Sequence, residues 1–172
     1  WGLILKHPST GHGKEGSGGE HHTTNNRMEI MAVIRGLEAL KKPCQVRLVS
    51  DSQYVINAIS AWMPRWKKFG WRKSRKSRVY IRNVDLWRRL DELLAAHQVD
   101  THWVKGHAGH RENERCDVLA QSTAEAVART PAPPKPPPVD LRVPAGELPL
   151  FASLEPVDED ADDDAPAEAT AG

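Results

Sequence analysis

The stretch Trp103–Asp117, WVKGHAGHRENERCD, limits the fold more than any other part of the chain. A β-rich run, Val99 to Val104, leads into a Gly-punctuated loop with two histidines, and then into a helix opening near Asn113. Cys116, Leu119, Ala120, Thr123, Ala124 and Val127 recur at helical spacing, so one face of that helix is expected to pack inward. Asp117 flanks this face in the first turns. A carboxylate beside a His-bearing loop suits a metal-dependent hydrolase, in which the acid holds the ion and an imidazole moves protons. It also suits a structural role, with the acid favouring the helix dipole and the histidines solvated.

Two further acids sit at comparable places. From TTNNRMEIM the pattern predicts a helix, with Ile30, Val33, Ile34, Leu37 and Leu40 inward, Asn25 or Asn26 as N-cap, and Lys41, Lys42, Pro43 as the stop. Glu29 lies on the flank of its buried stripe. Gln45 to Ser50 reads as a buried strand with Asp51 at its carboxyl end, where open α/β sheets place ligand-binding residues. Ser52 then caps a helix running through Tyr54, Val55, Ala58, Ile59 and Trp62. Another helix, Asn83 to about His97, carries an apolar stripe and reads as structural, with His97 a cation near its C-terminus. At the front, WGLILKH reads as a strand, followed by a Gly/Ser-rich loop and a weaker second strand around Gly18 to His22.

Charge divides the chain in two. Residues 1–129 hold 22 Lys+Arg against 13 Asp+Glu, whereas residues 130–172 hold 2 against 10. A basic body of net +9 points to a polyanionic partner. Its focus is AWMPRWKKFGWRKSRKSRVYIR, residues 61–82, with nine Lys+Arg, no acid, and Trp62, Trp66, Phe69 and Trp71 interleaved. Such alternation suits phosphate contacts together with stacking, although Trp62 and Trp66, four apart, also suit packing on one another. Two cysteines, Cys44 and Cys116, are too few for a disulfide framework and fit a reducing, cytoplasmic setting. No run approaches the ~18 apolar residues of a membrane span.

Together TTNNRMEIM, SDSQYV and WVKGHAGHRENERCD closely resemble the signature blocks of type 1 ribonuclease H, over roughly residues 1–128. The resemblance implies a mixed five-stranded sheet flanked by helices, and cleavage of the RNA strand of RNA–DNA hybrids. It further implies two Mg²⁺ ions, with Mn²⁺ as a substitute, acting in phosphodiester hydrolysis that yields 5′-phosphate and 3′-hydroxyl ends. Carried over by position, Glu29, Asp51 and Asp117 fall on metal-binding carboxylates and His107 on the assisting loop histidine; His110 does not. Residues 61–82 fall on a basic protrusion that grips the hybrid, which assigns Trp62, Trp66, Lys67, Lys68, Trp71, Arg72 and Lys73 to nucleic-acid contact. Thr24, Asn25, Asn26 and Gln53 match positions along the hybrid backbone and minor groove. One departure stands out. The family's fourth carboxylate, an Asp in an Asp-Gly-Ser block on the first strand, has no counterpart here, and Glu15 and Glu20 lie in or beside the Gly-rich loop. Because the chain opens on Trp1 within a strand-like run, the expectation is an N-terminally incomplete catalytic domain lacking its first strand. The competing expectation is a module that binds hybrid or double-stranded RNA without cutting it, and a monomer is expected in either case.

The expected domain plan is a catalytic domain over residues 1–129 and a Pro-rich, then acidic, disordered tail over residues 130–172. Its one apolar cluster, ELPLF, partly resembles the peptide by which bacterial replication proteins bind the sliding clamp, through Leu148, Leu150 and Phe151. A Pro-rich spacer would hold that cluster clear of the body.

Overall fold

A computed structural model describes residues 1–144 and Glu147. The clamp-like cluster at Leu148, Leu150 and Phe151 lies outside these residues. Strands β1 (Gly2–Lys6) and β2 (Gly13–Ser17) form an antiparallel hairpin in which Gly2 faces Ser17 and Lys6 faces Gly13. Helix α1 (Asn25–Glu38) follows, then β3 (Gln45–Ser50). The next helical run comprises α2 (Gln53–Asn57), a π-helical turn (Ala58–Trp62) and α3 (Met63–Lys68). Helix α4 (Val84–Ala96) leads to β4 (Gln98–Trp103), which pairs parallel with β3, and α5 (Arg111–Ala128) closes the domain. No helix among the described residues is long and apolar enough to cross a membrane.

This is a mixed α/β fold, with parallel and antiparallel strand pairs flanked by helices. The four strands among the described residues agree with the expected five-stranded sheet short of its first strand, but they form two separate pairs that share no hydrogen-bonded edge. The second strand lies earlier than the expected Gly18 to His22, because pairing with β1 and not apolar alternation selects GKEGS. Glu15 is therefore a strand residue, with its carboxylate held by the Arg115 guanidinium at 2.7 and 3.0 Å.

The core is built by the predicted helical stripes. Ile30, Val33, Ile34 and Leu37 of α1 meet Leu86, Trp87 and Leu90 of α4, with Val55, Ala58 and Met63 between them. Tyr54, Trp62, Trp66 and Trp87 form a continuous aromatic cluster with ring centroids 5.4 to 6.1 Å apart. Pro64 has no N–H to give to the carbonyl one turn back, which accounts for the wider π turn before it. Helix α1 is capped by Thr24, whose Oγ1 accepts from the Arg27 N–H, so neither Asn25 nor Asn26 is the cap.

Helix α5 opens two residues before Asn113, with His110 as its cap, and crosses β1 closely. A Cβ on Gly2 would lie 2.2 Å from the Cys116 carbonyl oxygen, so only glycine permits that approach. The inward face of α5 is half-buried at Cys116, Leu119, Ala120, Thr123 and Val127, while Ala124 is exposed, contrary to the spacing argument. His97 does not sit as a free cation at the end of α4; its Nδ1 accepts from the Cys44 N–H. Past α5, the described residues 130–143 return to the body. The Thr130 hydroxyl meets His21, His22 meets the Pro133 carbonyl, and Leu141 to Val143 pair with Arg78 to Tyr80.

Candidate active site

The parallel pairing of β3 with β4 sets Ser50 opposite Trp103, so both strands end at the same edge. There the Trp103 indole N–H donates to the Asp51 carbonyl at 3.0 Å and the Val104 N–H to the Ser50 carbonyl at 3.0 Å. The loop after β4 thus starts beside Asp51. At Gly106 an added Cβ would stand 2.8 Å from Asp51 Oδ2, so the absent side chain makes room for the carboxylate. Gly106→Ala is expected to displace either the loop or Asp51, and a misplacement of about 1 Å costs about 10²-fold in rate. A kcat assay paired with a melting curve checks this: activity falls while the melting temperature stays close to wild type.

Asp51 Oδ2 accepts from Asn113 Nδ2 at 2.9 Å. One turn later on α5 stands Asp117, whose Oδ2 is buried and has no hydrogen-bond partner. Burial pushes the Asp117 carboxyl up from its ordinary range, the negative charge of Asp51 adds to this, Glu114 adds more, and His107 opposes it. His107 Nδ1 lies 3.7 Å from Asp117 Oδ2, too far for a hydrogen bond, on an imidazole 85% exposed to solvent. The His107 backbone has φ 52°, a left-handed conformation uncommon outside glycine that turns this loop back towards α5.

Glu29 joins through Ser52. The buried Ser52 hydroxyl donates to Glu29 Oε2 at 2.5 Å and accepts from the Val55 N–H at 3.2 Å, so one side chain both caps α2 and holds the acid. This bond also brings the N-termini of α1 and α2 together, with Thr24, Asn25 and Asn26 on one and the exposed Gln53 on the other.

Asp51 and Asp117 form a repelling pair with one orphaned buried oxygen, an arrangement that fits a hard divalent cation taking oxygen ligands. Among the described residues, however, no three His, Cys, Asp or Glu side chains converge on one metal position. Of the three carboxylates expected to bind metal, Asp117 feels the charge of Asp51, and Glu29 has its Oε2 engaged by the Ser52 hydroxyl. Ser52, Asn113 and Gly106 are the residues that sequence reasoning passed over in this role. Asn113 was open to recognition from its position one turn before Asp117.

In the basic segment the structure separates inward from outward groups. Trp62, Trp66 and Trp71 pack against the core. Arg72 is 6% exposed and donates to the carbonyls of Phe69 at 2.7 Å and Ser77 at 3.2 Å, which places it inside the loop and away from any phosphate. Lys67 pairs with Asp91 at 2.8 Å, and Lys68 and Lys73 are exposed.

A family model described as RNase H matches residues 1–125. Among curated relatives, a ribonuclease H of Photorhabdus laumondii is 53% identical over 130 residues, covering 76% of this chain and 81% of the relative. One from Halorhodospira halophila is 57% identical over 129 residues, covering 74% and 84%. Among solved structures, LC9-RNase H1, described as a type 1 RNase H with the type 2 active-site motif, superposes with a TM-score of 0.61 at 28% identity, covering 73% of this chain and 62% of that one. A foamy viral protease-reverse transcriptase solved with RNA/DNA hybrid shares the fold at a TM-score of 0.56 and 17% identity, covering 73% of this chain and 19% of that one.

Proposed function

The chain belongs to the ribonuclease H family, and from that membership we propose an endonuclease that hydrolyses the RNA strand of RNA–DNA hybrids, leaving 5′-phosphate and 3′-hydroxyl ends. The observation that carries this reading is the Asp51–Asp117 pair at the end of the parallel strands, with its orphaned buried oxygen. Asp51 and Asp117 would hold the cation, and Glu29, whose Oε2 accepts from the hydroxyl of Ser52, the residue after Asp51, would be the third acid. Two Mg²⁺ ions, or Mn²⁺ in their place, supply when bound an acidified water and charge neutralisation at the attacking and leaving oxygens. Asn113 orients the Asp51 carboxylate, and the absence of a side chain at Gly106 leaves room for it beside the loop.

His107 takes or relays the proton at its imidazole, for which its exposure and its place 3.7 Å from Asp117 suit it. His107→Ala is expected to slow turnover by about 10²-fold with hybrid binding unchanged.

Hybrid binding falls to the outward cations of the basic segment, with Thr24, Asn25, Asn26 and Gln53 at the paired helix N-termini close to the acids. Neutralising Lys67, Lys68 and Lys73 is expected to flatten the log–log salt dependence of binding by up to about 0.9 for each phosphate no longer neutralised. Arg72→Gln is expected instead to lower the melting temperature and leave that slope unchanged, since its hydrogen bonds go to Phe69 and Ser77. The two free thiols accord with a reducing cytoplasm as the place of action.

The decisive experiment incubates end-labelled RNA–DNA hybrid, single-stranded RNA and double-stranded RNA with the protein in Mg²⁺, Mn²⁺ or chelator. Metal-dependent cutting confined to the hybrid RNA strand, with 3′-hydroxyl ends, is the expected result. Hybrid bound but uncut in both metals would replace the enzyme with a binding module.

A further inference from the structure

We propose that the acidic stretch of this chain, Glu155 to Glu168, docks on the basic segment Arg65 to Arg82 and competes there with nucleic acid. The inference rests on the reading that this segment binds nucleic acid, and adds an occupant supplied by the protein itself.

The structural ground is a β clip. Leu141 to Val143 run antiparallel to Arg78 to Tyr80, with Val79 facing Arg142. The Tyr80 N–H donates to the Leu141 carbonyl at 2.8 Å and the Val143 N–H to the Arg78 carbonyl at 2.8 Å. Val143 is buried, at 7% exposure, and beyond it the Tyr80 hydroxyl donates to the Glu147 carboxylate. Within the clip, Arg142 is paired with Asp140 at 2.8 Å. The chain therefore leaves the described body from the basic segment itself.

Charge supplies the second ground. Residues 61–82 hold nine Lys+Arg and no acid, and residues 155–168 hold eight acids and no Lys or Arg. Between Val143 and Asp158 lie fifteen residues' length of chain, a reach of at most about 50 Å, so the acids can meet the whole basic face. Tethering at this distance gives an effective concentration on the order of millimolar, enough for a weak electrostatic contact to be well populated. Such a contact acts as a filter: an extended polyanion making many phosphate contacts displaces it, and short or sparse anions do not.

The test uses the full chain in three forms: wild type; a variant with Asp158, Asp160, Asp162, Asp163 and Asp164 changed to Asn and Glu159 to Gln; and Val143→Pro, which removes the N–H that closes the clip without changing charge. Affinity for a fluorescent RNA–DNA hybrid is read in chelator at low and high salt. At low salt the neutralised variant is expected to bind about tenfold tighter than wild type and Val143→Pro about threefold tighter, as removal of a tethered competitor predicts. Both differences vanish near 0.5 M salt, where screening is within a few Å. Carbodiimide cross-linking of wild type without nucleic acid should join lysines of residues 67–76 to acids of residues 155–168, and added hybrid should suppress those products.

Equal affinity of wild type and neutralised variant at low salt, or absence of the cross-links, overturns the proposal. A gain in the neutralised variant with none in Val143→Pro overturns the clip as anchor and leaves only net charge. Failure of the underlying reading looks different: cross-links form, yet Lys68→Ala/Arg75→Ala leaves hybrid affinity of the neutralised variant unchanged.

Discussion

Asp51→Asn is expected to remove metal-supported cleavage, by at least about 10³-fold, and at the same time to raise the melting temperature of the metal-free protein. Both effects come from one interaction. The Asp117 carboxyl is pushed above its unfolded value by burial first and by the charge of Asp51 second. A carboxyl raised in this way contributes stability that is fully present below the unfolded value of 3.8 and is lost as pH rises through the raised one. Above that raised value the Asp117 carboxylate is charged at a cost to the fold, and the neutral amide of the Asp51→Asn variant lowers this cost while its oxygen still accepts from Asn113. A cation relieves the same repulsion in the wild type. Melting curves across a Mg²⁺ titration read this without any turnover: wild type gains about 2.7 kcal/mol at 100 times Kd, and Asp51→Asn gains nothing. An equal metal-dependent rise in both proteins would place the cation elsewhere.

Trp87→Ala is expected to have the largest effect on stability, about 3–5 kcal/mol. Trp87 is 0% exposed, with Tyr54 and Trp66 rings at 5.4 and 5.6 Å and its indole N–H donating to the Tyr54 hydroxyl at 3.3 Å. No neighbour can collapse into so large a void, and domains of this size have only about 5–15 kcal/mol to lose. Because Trp66 belongs to α3, the substitution should also loosen the base of the basic segment. Urea unfolding followed by circular dichroism should show the midpoint falling with the slope unchanged. A change under about 1 kcal/mol would mean that the aromatic cluster is peripheral to folding.

The periodic elements were legible before the structure because apolar spacing encodes burial directly. Ile30, Val33, Ile34 and Leu37 are buried on α1 as their spacing requires, and β3 spans Gln45–Ser50 as read, although it alternates between exposed and half-buried residues and is not a buried strand. Elements without that signal were misplaced. β2 exposes most of GKEGS, so its position depends on its partner, and Thr24 displaced the asparagines as cap although all three residues suit the role.

The candidate site divides in the same way. Local pattern was enough to put each acid at its element end: Glu29 early on α1, Asp51 after β3, Asp117 early on α5, and His107 in the loop between β4 and α5. Those placements follow from periodicity and capping, which act over a few residues. It took the packed fold to bring the charge of Asp51 to bear on Asp117, to set the Ser52 hydroxyl against Glu29, to turn Arg72 inward, and to clip Leu141 to Val143 onto Arg78 to Tyr80. Most of these join groups distant in the chain. Their meeting depends on strand register, helix packing and the volume left by Gly106, which periodicity along one segment does not encode.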